Sequence, residues 1–443
     1  MLFQTIYYPQ ELMLKTAEAW TNAAKLASIY SSIYFRTYHE TIKQSDKPDD
    51  FYEKWLRLMD DEFDRTLRTD DFMSLLSKYV NSLVDLRTIF RKAGYPVDYF
   101  DKLFDEQVRR MMVFSSIPKE TALTPFDVVH VEGKTRLLHY HNNKTYAAAN
   151  NGGSTRPLLI IYAPINRFHI MDLNPDRSVV KELLSKGLDV YLLDWGYPDW
   201  SDDKLSVNDY LEYVDHAVRD ITATTGLDKV SILGYCWGGI FAVAYTALNN
   251  QKVKNLTVMA TPVDFSKDSS ILAVWAKALD SDKIVEEFGH MDGQVLDLGF
   301  ILRNPPRYTF DKYLKLSKKL HDARFVDTFI AVEKWLYDTP SIPGNLYRQI
   351  VDDCYKKNLL IRPNQMEVGG KQIDLGKIDV PLLTVVAERD DLVSRESSLA
   401  LKDHVSSKVK ESLEIPGGHV GLCVSTRAHE KLWPDVAEFI LLN

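Results

Sequence analysis

Gly234-Tyr235-Cys236-Trp237-Gly238-Gly239 sets a thiol between glycines, directly after the apolar run Val230 to Leu233 and at the start of the helical stretch Gly238 to Leu248. A nucleophile on such a strand-to-helix turn is held clear of the backbone, and side chains in place of the glycines would clash with strand or helix. The helix N-terminus puts partial positive charge beside the sulfur, and the Trp237 N–H becomes available to an oxyanion. Glycine-rich turns are common in α/β sheets, so a packed structural cysteine is the alternative. Two distant residues bear on the choice. Asp390 follows the apolar run Leu382 to Val386, and His419 follows a run that ends at Ile415. The order Cys236, Asp390, His419 suits a nucleophile, a third member and a base. The 29 residues from Asp390 to His419 hold one helix and one strand, which sets both at the carboxyl ends of neighbouring strands. Asp391 competes with Asp390, but Leu392-Val393 follows it at once and should lead into the next helix. Cys354 and Cys423 lack this context and read as packing residues.

The second oxyanion donor is expected from the loop after the first core strand, Leu158 to Ala163, with the Ile165 N–H as the candidate. Arg167 in that loop reads as a surface ion pair, with phosphate contact as the rival reading.

The elements that must position these groups alternate from about residue 119. Val128 to Val131 and Thr135 to Tyr140 form a hairpin, and Ala147 to Thr155 is a loop. Asp189 to Leu193 and Leu256 to Met259 are further strands. Val179 to Leu184 is helical, and Val207 to Ile221 is an amphipathic helix capped by Ser206. Strand and helix at this interval imply a parallel sheet covered on both faces. The alternation breaks from about 261 to 376, a mostly helical insertion above the sheet. It resumes with strands at Leu382 to Val386 and Ser412 to Ile415 and a closing helix from Trp433. Residues 1–118 show helical spacing, as in Leu56, Met59, Phe63 and Leu67, then Phe72, Leu75, Leu76, Tyr79, Val80 and Leu83. Asp70 and Asp71 stand where an N-cap is expected, Gly94-Tyr95-Pro96 stops that helix, and Val97 to Met112 forms another.

Composition narrows the function. Among 443 residues, 54 are Lys or Arg and 62 are Asp or Glu, which argues against duplex nucleic-acid binding. Three cysteines make no disulfide framework and suggest a cytoplasmic compartment. No signal-peptide core or membrane-spanning run is expected. The histidines lack paired metal-ligand spacing and no phosphate-binding glycine loop occurs, so neither metal nor cofactor is expected.

The stretches YAPINRFHIMDLNPDRS, DVYLLDWGYPD, LSVNDYLEYVDHAV, VMATPVDF, VEKWLYDTP, AERDDLVS and IPGGHVGLCVS resemble the polyhydroxyalkanoate synthases, above all the catalytic subunit of the two-subunit class III enzymes. The resemblance runs from about Thr124 to the C-terminus. It implies an α/β-hydrolase fold with a helical cap over the site, Cys236 as acylated nucleophile, His419 as its base and Asp390 as third member. Trp335 and Asp338 become candidate cap or substrate residues, with plain cap packing as the alternative. Trp237 stands where this class has Gln, which bears on monomer preference, and Ser394 stands where the family has Pro. The all-helical region 1–118 has no counterpart in the catalytic subunit. The stretch FYEKWLRLMDDEFDRTLRTDDFMSLLSKYVNSLVDLR resembles, weakly, the helical accessory subunit, so that function is expected partly in cis, with an unrelated helical extension as the alternative.

What the resemblance implies is polymerisation of (R)-3-hydroxyacyl-coenzyme A, with 3-hydroxybutyryl-coenzyme A the expected monomer, through an acyl-cysteine and with release of coenzyme A. The implied partners are that thioester, the growing polyester, a second copy of the chain and an accessory or granule-associated protein, at a cytoplasmic granule surface. A cysteine-dependent thioesterase or polyester depolymerase would use the same triad. A non-catalytic granule-coating protein would not need it.

Overall fold

In the computed structural model the described residues are 2–44, 48–92, 120–141, 156–304 and 306–443. The expected helix Val97 to Met112, the stop at Gly94-Tyr95-Pro96 and the loop Ala147 to Thr155 lie outside them.

Among the described residues, eight strands form the central sheet: β1 Phe126–Glu132, β2 Thr135–Tyr140, β3 Pro157–Ile161, β4 Asp189–Asp194, β5 Val230–Tyr235, β6 Val253–Met259, β7 Leu382–Ala387 and β8 Lys410–Ile415. Their order is β1-β2-β4-β3-β5-β6-β7-β8. β2 runs antiparallel to both β1 and β4, and every other neighbour pair is parallel. β3, β4, β5 and β7 are buried at every position, as unbroken apolar runs require when helices cover both faces. This is the expected α/β-hydrolase architecture. Its strand order reverses about β3, so the loops after β3 and β5 open side by side at a natural site for chemistry.

The N-terminal helices are α1 Leu2–Gln44, α2 Pro48–Leu67 and α3 Asp70–Lys92. The cap on α3 is Thr69, whose hydroxyl accepts the Phe72 N–H at 3.3 Å; Asp70 and Asp71 occupy the first turn instead of the cap. The sheet is flanked by α4 Val179–Ser185, α5 Val207–Thr225 and α6 Trp237–Leu248. At the start of α5 the Asp209 carboxylate accepts from both the Ser206 N–H and its hydroxyl, and Gly226 ends the helix at φ 70°.

Between β6 and β7 lies the cap, with α7 Ile271–Ala278, α8 Ser281–Phe288, α9 Gly293–Leu302, α10 Lys312–Lys318, α11 Ala323–Leu336 and α12 Gly344–Gln349. It also holds two small antiparallel ribbons, His290–Met291 with Ile342–Pro343 and Met366–Val368 with Lys371–Ile373. Two or three residues per strand are too few for a period-two pattern to show. α13 Trp433–Leu442 closes the chain.

Two hydrophobic cores result among the described residues. One lies around the sheet. The other joins Leu26, Ile33, Met59, Phe63 and Phe72 of the N-terminal helices to Ile271 and Trp275 of α7. Polar contacts reinforce this seam. The buried Glu287 carboxylate of α8 accepts from Thr88 at 2.5 Å and Arg91 at 2.8 Å, and its carbonyl accepts from Arg87 at 2.8 Å. No described helix is long and apolar enough to cross a membrane.

Candidate active site

β5 delivers Cys236 into a turn with φ 54° and ψ −126°, a conformation an L-residue holds only where its surroundings enforce it. The Cys236 N–H donates to Met259 O at 2.9 Å, and its carbonyl accepts the Gly239 N–H at 2.9 Å. A Cβ at Gly239 would stand 1.9 Å from Thr261 Oγ1, and one at Gly238 would stand 2.2 Å from Ile161 O. The glycines therefore let α6 press against β3 and β6 while the thiol stays at the helix N-terminus. Cys236 is half-buried, whereas Cys354 and Cys423 are fully buried. Burial pushes the Cys423 thiol up to about 12, which leaves it an inert packing group.

Asp390 and His419 arrive from β7 and β8. His419 Nδ1 lies 2.8 Å from Asp390 Oδ2, with side chains only 6% and 2% exposed. Asp390 Oδ1 accepts the Leu392 N–H at 2.9 Å and the Val393 N–H at 3.0 Å, so the carboxylate is held at both ends. The two loops are tied by the Arg389 N–H, which donates to Gly417 O at 2.9 Å. Cys236 lines the same cavity as the His419 ring. Burial pulls the His419 pKa down, but the Asp390 carboxylate and then Cys236 outweigh it and push the ring up to about 10. Asp391 turns elsewhere, pairing with Arg303 at 2.9 Å and accepting from the Tyr308 hydroxyl. Asp390 thus makes the contact expected of the third member.

Cys236, Trp237, Ile165 and His419 line one cavity of about 180 Å³. Both candidate oxyanion donors therefore border the space above the thiol. Its remaining wall is largely apolar and comes in part from sheet loops, with Tyr162 and Val393, and in part from the cap, with Leu272, Trp275, Ala276 and Leu279 on and after α7, Phe300 of α9, and Trp335 of α11. The Trp237 side chain lies in this wall, with its Nε1–H donating to the Tyr355 hydroxyl at 3.1 Å. A second cavity of about 220 Å³ shares Asn166, Phe300, Trp335, Leu392 and His419 with the first and is lined by Arg303, Arg307 and Arg389.

Trp335 also braces the site, donating its Nε1–H to Arg167 O at 2.6 Å. Asp338 accepts from the Tyr197 hydroxyl at 2.8 Å, a contact between cap and sheet loop. The reading of Arg167 as a surface pair is corrected. Its guanidinium is buried, 2.9 Å from the buried Asp194 carboxylate and 4.1 Å from the Tyr197 ring centroid. Its partner stands at the end of β4, so proximity in sequence could not reveal it. Asn166 is a residue that sequence reasoning missed. At φ 59° it makes the sharp bend after Ile165, and its amide donates to Leu336 O at 3.0 Å and Thr339 Oγ1 at 2.6 Å, fastening the loop to the cap. The available signal was an Asn, which tolerates that conformation, directly after the expected donor. Among the described residues, no group of three or more His, Cys, Asp or Glu is placed to hold a metal.

Comparison with known proteins adds lineage. The alpha/beta hydrolase fold family matches residues 167–425, and the poly-beta-hydroxybutyrate polymerase (PhaC) N-terminus family matches 107–183. The poly(3-hydroxyalkanoate) polymerase subunit PhaC of Haloferax mediterranei is 39% identical over 71% of this chain and 63% of its own length. The PhaC subunit of Thiocystis violacea is 37% identical over 72% of this chain and 89% of its own length. The solved structure of mouse alpha/beta hydrolase domain-containing protein 10 is 15% identical, with a TM-score of 0.42 over 72% of this chain and 99% of that one.

Proposed function

The chain belongs to the PhaC family of poly(3-hydroxyalkanoate) polymerases, which are acyltransferases, and from that membership we propose that it polymerises short (R)-3-hydroxyacyl-coenzyme A thioesters on Cys236. The observation that carries the chemistry is a half-buried thiol that lines one cavity with a buried histidine whose ring is held by a buried carboxylate.

His419 takes the Cys236 proton, and the thiolate attacks the substrate carbonyl. The Ile165 and Trp237 N–H groups hold the oxyanion; losing one such donor costs about 3 kcal/mol of barrier. Collapse expels coenzyme A, which leaves with the proton from His419, and an acyl-Cys236 remains. The hydroxyl of a second 3-hydroxyacyl group then gives its proton to His419 and attacks the acyl-cysteine, forming the ester and freeing the thiol. Thioester exchange is nearly balanced in energy, so a sulfur nucleophile suits the first half-reaction better than an oxygen one.

The cavity supports a short monomer. An engineered cavity of roughly 150 Å³ takes one benzene, and a 3-hydroxybutyryl group has a similar number of heavy atoms. Its apolar wall keeps water from the acyl-cysteine. In the adjoining cavity Arg303 and Arg307 already face Asp391 and Asp60, whereas Arg389 makes no ion pair among the described residues and is the guanidinium offered to a phosphate of coenzyme A. The N-terminal helices, packed on α7 and α8, are assigned an accessory role in cis, and the enzyme works at the surface of its polymer granule.

Incubating the purified chain with 3-hydroxybutyryl-coenzyme A, and measuring thiol release and polymer together, tests this reading. Release of coenzyme A with free hydroxy acid and no polymer would make the chain a thioesterase instead.

A further inference from the structure

The loop that carries the Ile165 N–H is tied to the cap through the next residue. The buried Asn166 amide donates to Trp335 O at 3.3 Å, Leu336 O at 3.0 Å and Thr339 Oγ1 at 2.6 Å. Two of these acceptors are backbone carbonyls, and the third is a hydroxyl that could turn. It is kept from turning by Asp297, whose Oδ1 accepts the Thr339 hydroxyl proton at 2.5 Å. With its proton committed there, the hydroxyl offers only lone pairs to Asn166. Asp297 stands on α9, buried, and no cation neutralises it among the described residues. A carboxyl in such a place is costly unless its hydrogen bond matters. The backbone is shaped for the same contact. A Cβ at Gly293 would stand 1.9 Å from Thr339 O, so the glycine lets α9 press on Thr339, and Asp297 lies one turn further along that face.

We propose that Thr339 and Asp297 are positioning residues for the oxyanion donor: Asp297 directs the Thr339 hydroxyl, the hydroxyl fixes Asn166, and Asn166 fixes the preceding Ile165 N–H at the wall above Cys236. The proposal rests on acyl transfer at Cys236, as read above. Asn166 holds the left-handed conformation, φ 59°, so its side-chain bonds set the course of the chain at that bend. A cap that lifted would carry the Leu336 carbonyl and the Thr339 hydroxyl away from Asn166. The donor would then lose its setting as water gained entry. Oxyanion stabilisation is thereby confined to the covered site, and an uncovered acyl-cysteine is spared rapid hydrolysis.

Coenzyme A release from 3-hydroxybutyryl-coenzyme A reads the test whether the acyl group ends as polymer or as free acid, so a thioesterase result would sink the polymerase reading alone. Thr339→Val keeps the size and loses the hydroxyl. It is expected to lower kcat about 10- to 100-fold with KM held within about threefold, and Thr339→Ser should recover most of the loss. Asp297→Leu removes a buried carboxyl that no cation compensates, so Tm should hold or rise while kcat falls about tenfold. A brace that only supported the fold would lose both together. Asn166→Gly accepts the same backbone conformation without the amide. In that background, adding Thr339→Val should cost less than about twofold more, because the hydroxyl has lost the group it acts through. Unchanged kcat in Thr339→Val or Asp297→Leu, a Thr339→Ser enzyme no better than the valine variant, or additive losses in the Asn166→Gly background overturns the proposal.

Discussion

Replacing Asp390 with Asn changes one atom and should disable the base without disturbing the fold. Asp390 Oδ1 accepts two backbone N–H groups, from Leu392 at 2.9 Å and Val393 at 3.0 Å. An asparagine must keep its amide oxygen there, because its NH2 would face two donors. The NH2 group then points at His419 Nδ1, 2.8 Å away in the parent. Nδ1 is forced to accept, the ring proton moves to the other nitrogen, and that nitrogen can no longer take the Cys236 proton. The equivalent exchange in a serine protease lowers kcat about 10⁴-fold, equivalent to about 5.5 kcal/mol at ~1.36 kcal/mol per tenfold. Loss of the carboxylate also lowers the His419 pKa from its raised value, since the Asp390 charge opposes the effect of burial. The assay is coenzyme A release from 3-hydroxybutyryl-coenzyme A, with thermal unfolding as the control for folding. Asp391→Asn, whose carboxylate serves Arg303 and Tyr308, should cost less than about tenfold. An Asp390→Asn enzyme within tenfold of the parent, or a larger loss from Asp391→Asn, would refute the reasoning.

Gly239→Ala puts a methyl 1.9 Å from Thr261 Oγ1 and should destabilise the chain by about 1–3 kcal/mol, partly recovered by adding Thr261→Ala, as read from denaturant midpoints. Phe72→Ala removes a ring that is 1% exposed and stacked on Trp275 at 6.5 Å, at a cost of about 3–5 kcal/mol. Because α7 also walls the catalytic cavity, kcat/KM should fall at temperatures where the variant is folded; an unchanged value would show that the N-terminal helices do not support that wall. Burial pushes the Asp297 carboxyl up to about 7. A raised pKa stabilises the fold fully below the ordinary carboxylate value, and this is lost as pH rises through about 7. Asp297→Asn should therefore raise Tm at pH 8 more than at pH 5, and equal gains at both would contradict the assignment.

The meeting of Cys236, Asp390 and His419 at one sheet edge was legible because each follows an apolar run that became a strand, so one-dimensional spacing stood in for position. Asp390 was preferred over Asp391 from the residues that follow, and the Leu392 and Val393 N–H groups that hold its carboxylate come from that same turn. Arg167 was misread because its partner Asp194 ends another strand, and long-range ion pairs leave no local trace. α7 is legible only as part of a mostly helical insertion, although it has two apolar faces, one in the core with Phe72 and one on the cavity with Leu272 and Ala276. Helical spacing shows that a face must be buried, but not that two different bodies will cover the same helix.

The cavity above Cys236, about 180 Å³, has a consequence for the product. A chamber that seats one repeat unit has no means of measuring a chain. Under the proposed reaction, each new ester must push the older units outward, and every cycle begins from the same local state. Chain length then follows from competition at the acyl-cysteine between an incoming hydroxyl and a terminating nucleophile. The expected product is a broad, statistical distribution of lengths, shifted by whatever changes the dryness of the chamber rather than by a ruler in the protein.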